Sequence, residues 1–490
     1  MRKNSLQKIG LEGSVPAKIV FRRIMTILGT ALVLAFFVKL SELERFNYFV
    51  KILNVESLIE FLLFALLFFV LLITLFFTTR YARHDAMSRD RMLGIVCLSL
   101  LLTYACSWAF GELINLYISP VLLASLLVAT LVDKKIGVVT QIIVSNSYFL
   151  LNMVLFKDTV VLSENVGSLL TSIIVSIFMI MLIGKSSTRL KFTVMGFVLG
   201  VGTAFIPMII HLASGITDSY TVLMGGVWSA VAVLLSVSLY MVTLPLMEYV
   251  FKVNTVFRMA ELCSLESPLL KKLVKEAPGT FNHSLIVGNL AELCADAINE
   301  DTQLAKAAAY YHDMGKVKNP EYFIENQKGY NPHDDIIPEV SVSMIISHVT
   351  AGYEMLKAGG IPDVIANIAL EHHGTTPVNY FLYKAQGYTE ESVDKIEFSY
   401  PGPKPRTKIG AIIMIADTVE AASRAVGNYE DPEDFRKFVH SLIKGKMDTN
   451  QFSDCPITFK ELSIIEDTLV EAVPSMYHTR IKYDNHKKRK

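Results

Sequence analysis

Ala308-Ala309-Tyr310-Tyr311-His312-Asp313-Met314-Gly315-Lys316 sets an imidazole and a carboxylate side by side at the end of a helix-like run. Such a pair can hold one or two divalent cations if other ligands converge on it. The candidates are His283 upstream, and His348, the pair His372-His373 and Asp417 downstream. Most lie in apolar surroundings: His283 precedes Leu285-Ile286-Val287, His348 follows Met344-Ile345-Ile346, and Asp417 follows Ile412-Ile413-Met414-Ile415-Ala416. Burying so many ionisable groups in one domain is costly unless they are paired or coordinated, so separate core polar residues are the weaker reading.

Five imidazoles and two carboxylates without a thiolate suit Mn(II), Fe(II), Zn(II), Co(II) or Ni(II) better than an all-oxygen cage for magnesium or calcium. Seven potential ligands fit two metals better than one, with Asp313 placed as a bridge. Two metals roughly 3.5–4 Å apart activate a shared water and neutralise a phosphoryl oxygen in phosphoester hydrolysis.

The motifs are Pro278-Gly279-Thr280 with His283-Ser284; His312-Asp313-Met314-Gly315-Lys316; Glu325-Asn326-Gln327 leading to Asn331-Pro332-His333; Ile345-Ile346-Ser347-His348-Val349; Glu371-His372-His373-Gly374-Thr375; Pro401 to Pro405; and Ala416-Asp417 with Glu420-Ala421-Ala422. In order and spacing, from about Phe257 to Asp484, the chain resembles the HD superfamily of metal-dependent phosphohydrolases. Within it, the chain resembles the membrane-anchored cyclic di-AMP phosphodiesterases of the PgpH or 7TM-HD family. The resemblance implies one metal held by His283, His312, Asp313 and Asp417, and a second held by Asp313, His348, His372 and His373. It implies Mn(II) or Fe(II) as the metals, Asp313 and Lys316 as catalytic residues, and opening of cyclic di-AMP to linear pApA. The alternatives are an HD phosphohydrolase acting on another nucleotide, such as cyclic di-GMP, and a nonhydrolytic membrane nucleotide receptor. A transporter with a regulatory HD domain is a weaker third class, because mid-span charges are few.

The whole chain has 490 residues, 52% hydrophobic and 19% charged, with no net charge. Its mean hydropathy is +0.42, unlike an ordinary soluble protein. The apolar runs fall before about Leu246. Eight candidate spans are read there: Ile19–Val38, Leu58–Phe77, Met92–Leu113, Ile118–Val132, Ile136–Phe156, Val166–Ile183, Phe192–His211 and Thr221–Tyr240. About twenty helical residues cross the hydrocarbon core. Ile118–Val132 is short, begins at Ser119-Pro120, and is open to being tilted, extended or re-entrant.

Basic residues mark every second loop: Arg2 to Arg23 at the start, Arg80 to Arg91, Lys134-Lys135, and Lys185 to Lys191. This alternation puts both termini and the C-terminal domain in the cytoplasm of a cell-membrane protein. The first span ends in Phe36-Phe37-Val38-Lys39 without a small-x-small cleavage site, so it reads as a retained helix. PgpH relatives usually carry a sizeable extracytoplasmic domain after the first span, whereas only Lys39 to about Ser57 is available here. The polar intramembrane candidates are Glu112, Thr140, Ser145, Asn146 and His211, and Gly196 with Gly200 has small-xxx-small spacing for close helix packing.

The expected architecture is all-α: a cytoplasmic segment 1–18, a transmembrane bundle 19–247, a connector 248–266, the HD domain 267–484 and a basic tail 485–490. Ser267-Pro268 and Thr280 read as helix starts. Gly315 allows a close turn past the metals and Gly374 ends the helix bearing His372-His373. The loop 317–338 carries His333, a possible further ligand. Tyr380 and Tyr383, with Tyr388, either stack an adenine or form a packed patch. Arg406 and Arg424 are basic candidates beside the site, and Lys316 can direct a cation toward a phosphate. The expected partners are a cyclic dinucleotide, the bilayer, and a second copy or a membrane signalling partner, with no nucleic acid polymer. The five cysteines have neither zinc nor redox spacing and read as free thiols.

Overall fold

A computed structural model describes residues 17–46, 55–79, 89–113, 118–155, 162–183, 188–387, 393–426 and 431–476. The basic tail, the N-terminal segment before Ala17, Arg80, Arg83, Lys185 and Tyr388 lie outside the described residues, as does the side chain of Glu112. Among the described residues the regular elements are all helical, with one isolated β-bridge between Pro377 and Ser399. The chain divides into two compact units, Met1–Phe257 and Arg258–Lys490.

The first unit contains α1 (Ala17–Phe46), α2 (Val55–Thr78), α3 (Arg89–Leu113), α4 (Leu123–Leu131), α5 (Lys134–Leu155), α6 (Leu162–Leu182), α7 (Arg189–Gly202), α8 (Phe205–Ala213) and α9 (Ser219–Phe251). Among the described residues seven segments are long and apolar enough to cross a membrane, with α7 and α8 forming one of them. This is a polytopic membrane protein. Many apolar side chains on these helices are exposed, as a lipid-facing surface requires.

The expected span at Ile118–Val132 is where the structure departs from eight regular helices. Residues 118–122 are not helical, and α4 is only nine residues long. Pro120 has no N–H to give a helix, and residues 118–129 are all buried. Irregular backbone at membrane depth is tolerated where protein surrounds it. Here side chains supply the polar contacts: Ser119 bonds Tyr148, Ser125 Oγ is 3.0 Å from Ser176 Oγ, and Thr130 Oγ1 is 2.6 Å from Tyr240 OH.

Charged contacts tie particular helix ends together. Arg22 and Arg23 near the start of α1 pair with Asp90 at the start of α3. Arg189 at the start of α7 reaches Glu248 near the end of α9 at 2.9 Å. Lys134 at the start of α5 donates to the Ile183 carbonyl just after α6. Gly94 on α3 packs on Phe251 at the end of α9. The glycine spacing on α7 serves packing: a Cβ at Gly196 would stand 2.7 Å from Val237, and one at Gly200 would stand 3.0 Å from Val233, both on α9. Thr140, Asn146 and Ser145 satisfy their polar groups within the bundle, the first two on their own helix and Ser145 also against Ser172 at 2.9 Å.

The second unit, a cytoplasmic helical domain, is built from α10 (Val256–Leu262, which begins in the first unit), α11 (Pro268–Glu276), α12 (Pro278–Ala297), α13 (Thr302–Tyr311), α14 (Pro338–Ala358), α15 (Asp363–Glu371), α16 (Asn379–Gln386), α17 (Lys408–Val426), α18 (Pro432–Asp448) and α19 (Phe459–Met476). The connector is made of two helical pieces: α9 continues to Phe251, Lys252 takes a left-handed conformation, and α10 follows after a short non-helical break.

On α12, His283, Val287, Leu290, Ala291 and Cys294 are all buried, as their three- and four-residue spacing requires. The helix starts at Pro278, before Thr280. Its first N–H groups are capped from a distant loop, with Asn326 Oδ1 accepting from Gly279 N (2.9 Å) and Thr280 N (3.2 Å). Asp301 caps α13 through Leu304 N at 3.0 Å, and Thr458 with Glu461 forms a reciprocal capping box at α19. Ser267 does not cap α11; its hydroxyl bonds Tyr311 OH at 2.7 Å. A core of Leu270, Leu290, Ala308, Ile365, Ile412, Val419 and Ile465 ties α11, α12, α13, α15, α17 and α19 together. All five cysteines are free.

Candidate metal centre

α13 ends at Tyr311, so His312 is its C-cap and Asp313 leads into a 3-10 turn, Met314–Lys318. That turn lies against α14, and a methyl at Gly315 would overlap the His348 carbonyl. Only glycine allows the HD pair this close to the helix that brings His348. α15 likewise stops so that His372 and His373 project from its end, and Gly374 makes the turn at φ +55°.

Two groups of donor atoms result, and they share Asp313. Asp313, His348, His372 and His373 form one, and His283, His312 and Asp313 the other; within each, all donors lie within 4.8 Å of one another. Asp417, on the inward face of α17, joins the second group, with Oδ1 3.0 Å from His283 Nε2 and 3.8 Å from His312 Nε2. All seven residues expected from the sequence therefore meet, and most are deeply buried.

The ring orientations are fixed from behind. His312 Nδ1 donates to Ala309 O (2.7 Å), His348 Nδ1 to Ile345 O (2.6 Å) and His372 Nδ1 to Ala369 O (2.8 Å). Each bond directs the Nε2 lone pair into the site. His283 Nδ1 is held by Glu420, which Arg424 neutralises on its other side. The buried His312 Nε2 and both Asp313 carboxylate oxygens have no well-formed hydrogen bond among the described residues. Buried polar atoms held by charge contacts alone, with Lys316 Nζ 2.7 Å from Asp313 Oδ2 and His312 Nε2 3.2 Å from it, next to further imidazoles, fit a site built for cations.

The charges reinforce one another. Burial opposes the His312 cation, but Asp313 and Asp417 favour it more, raising the group to about 10. Burial also opposes the Asp313 anion, yet His312 and Lys316 hold it well below the usual carboxylate range. His372, buried beside other imidazoles, falls to about 4.

The expected substrate residues are placed less uniformly. Lys316 Nζ stands 2.7 Å from Asp313 Oδ2 and 3.0 Å from Glu325 Oε1, above the Phe323 ring. Tyr380 and Tyr383 are exposed on α16, whereas the phenyl and phenol rings that touch the imidazoles of the donor groups, among the described residues, are Tyr400 and Phe323. Tyr400 stacks on His373 at 4.3 Å. Arg406 is exposed, its backbone N–H donating to Glu371 at 3.1 Å, and Arg424 acts on Glu420. His333 is outside both donor groups; its Nε2 bonds Tyr322 O at 2.9 Å and fixes the loop.

Sequence reasoning assigned no role to Glu420, Tyr400 or Lys446. Glu420 was detectable as Asp417-x-x-Glu420, two acids on one helical face. Lys446 on α18, pulled below the ordinary lysine range by burial despite the Asp417 charge, carried no such signal.

Two families match the chain: "7TM receptor with intracellular HD hydrolase" over residues 57–255, and the HD domain over residues 280–422. The cyclic-di-AMP phosphodiesterase PgpH of Bacillus subtilis (strain 168) is 36% identical over 377 residues, 75% of this chain and 51% of that protein. PgpH of Listeria monocytogenes serotype 1/2a is 44% identical over 245 residues, 50% of this chain and 34% of that protein. The chain thus spans about half the length of the first relative and about a third of the second. The crystal structure of the L. monocytogenes PgpH HD domain in complex with cyclic-di-AMP is 45% identical, covering 44% of this chain and 100% of its own, with a TM-score of 0.42.

Proposed function

This chain belongs to the membrane-embedded HD-superfamily proteins related to PgpH, and on that premise we propose that it is a metal-dependent phosphodiesterase opening cyclic di-AMP to linear pApA. The observation that carries the reading is the position of Asp313 in both donor groups, which is the arrangement a dimetal hydrolase needs.

His283, His312, Asp313 and Asp417 would hold one ion, and Asp313, His348, His372 and His373 the other. Imidazole with carboxylate and no thiolate suits Mn(II) or Fe(II). Ions bound there supply an activated water and a charge to neutralise the phosphoryl oxygen. The chain's own residues do the rest. Backbone carbonyls hold the His312, His348 and His372 rings and Glu420 holds His283, so little ring reorientation accompanies loading. Lys316 brings a fixed positive charge to Asp313 and to the phosphate beside it. Tyr400 walls His373 on one face and limits water there.

The test is product analysis. The purified full-length chain, stripped and then reloaded with Mn(II) or Fe(II), is incubated with cyclic di-AMP and cyclic di-GMP and the products are separated by mass. Metal-dependent pApA formation is expected. Turnover of cyclic di-GMP alone would redirect the assignment to another nucleotide, and tight binding without metal-stimulated turnover would make the domain a receptor.

A further inference from the structure

A second convergence of buried polar groups lies in the bundle. α6 opens with Ser163 and Glu164, His211 sits in the last turn of α8, and α9 passes both with Gly225, Trp228 and Ser229. His211 is fully buried. Its Nδ1 is 3.0 Å from Ser163 Oγ, and its Nε2 lies 3.9 Å from Glu164 Oε1 with no hydrogen-bond partner among the described residues. Gly225 makes room for the ring, since a Cβ there would meet Nε2 at 2.5 Å. Glu164 and Gly225, which flank this nitrogen, also line a small cavity, open on one side, together with Ser168, Pro207, Trp228 and Ser229.

An unpartnered imidazole nitrogen and a carboxylate without a lysine or arginine partner among the described residues are costly inside a membrane bundle. A cation placed between the two would satisfy both. α9 leads at its far end into the cytoplasmic domain, so its Ser219 end faces the other side of the membrane. Trp228 is then about 14 Å along the helix from that end.

We propose that α6, α8 and α9 form a binding pocket for a small ammonium-type cation in the extracytoplasmic half of the bundle. With Nδ1–H donating to Ser163, His211 presents the lone pair of Nε2. Glu164 adds a negative charge, Ser168 and Ser229 add hydroxyl oxygens, and the Trp228 indole, which lines the cavity, is the aromatic group available to a cation. Every group in this set can accept or attract a positive donor. A divalent metal would want three or four strong ligands, whereas only one imidazole and one carboxylate are present. The cavity suits one ammonium group, either of a free amine or of an aminolipid head.

Trp108 and Trp228 are the two tryptophans in the chain, so a Trp108→Phe background isolates the reporter in the pocket. The full chain is placed in nanodiscs of phosphatidylcholine and phosphatidylglycerol and titrated with methylammonium chloride at constant pH and ionic strength. A saturable change in fluorescence is expected, with affinity weakened by at least about tenfold in Glu164→Gln. Calorimetry on the chain without Trp108→Phe gives the same comparison if that background fails to fold. A signal that needs phosphatidylethanolamine in the disc, and is still lost in Glu164→Gln, assigns the ammonium group to a lipid head. An equal response to sodium or tetramethylammonium, an unchanged affinity in Glu164→Gln, or no saturable binding from either source would overturn the proposal.

Discussion

Asp417 Oδ1 stands 3.0 Å from His283 Nε2, although 134 positions separate the two residues. The contact joins the inward faces of α12 and α17, and with His312 and Asp313 it closes one half of the centre. Removing the residue common to both halves should therefore be more damaging than removing any other.

Asp313→Ala is expected to lower metal-dependent hydrolysis by more than about a hundredfold, beyond the 10–100-fold typical of losing a supporting residue. Far-UV circular dichroism should be unchanged, because the core packs without this carboxylate. Full activity with normal metal content in the variant would remove Asp313 from its proposed role.

Glu420 holds the back of the His283 ring and is itself fully buried. Glu420→Gln keeps the shape but removes the charge, so metal affinity or turnover should fall about 10–100-fold. Equilibrium metal titration measures it, and wild-type affinity would count against a positioning role.

Metal loading should release protons. In the metal-free site His312 is raised to about 10, so it is protonated near neutral pH, and an ion can take Nε2 only after that proton leaves. The metal-free state binds the extra proton, so affinity should strengthen as pH rises, on the order of tenfold per unit for one proton released. Calorimetry in buffers of different ionisation enthalpy reports the proton directly; a buffer-independent heat would contradict the expectation.

The start of α1 shares a face of the bundle with the start of α3 through Arg22, Arg23 and Asp90, and α3 shares that face with the end of α9 through Gly94 and Phe251. An even number of passes is then needed between α1 and the cytoplasmic domain, one more than the seven long helices among the described residues supply. The segment 118–131 is expected to make that pass. A reporter fused at the N-terminus should read as cytoplasmic, and one inserted between α3 and residue 118 as extracytoplasmic; the opposite pattern would leave this segment re-entrant.

Gly315→Ala should destabilise the domain by about 1–3 kcal/mol, the usual cost of overpacking, because the added methyl overlaps the His348 carbonyl. The thermal midpoint and metal content should fall together. A variant with an unchanged midpoint would show that the turn relaxes freely.

The sequence by itself determined the kinds of ligand, the long apolar spans and the faces of α12 and α17 that bear His283 and Asp417, because side-chain chemistry and helical period are local properties. Local pattern does not say which faces meet. That Glu420 rather than solvent backs His283, and that Tyr400 rather than Tyr380 or Tyr383 lies on the His373 ring, were decided only by tertiary packing. The cap on α12 was invisible for the same reason, since Asn326 reaches it across 47 positions. Residues 118–122, apolar enough to read as the start of a span, depart from helix because Pro120 interrupts it and the surrounding helices can shelter the exposed backbone.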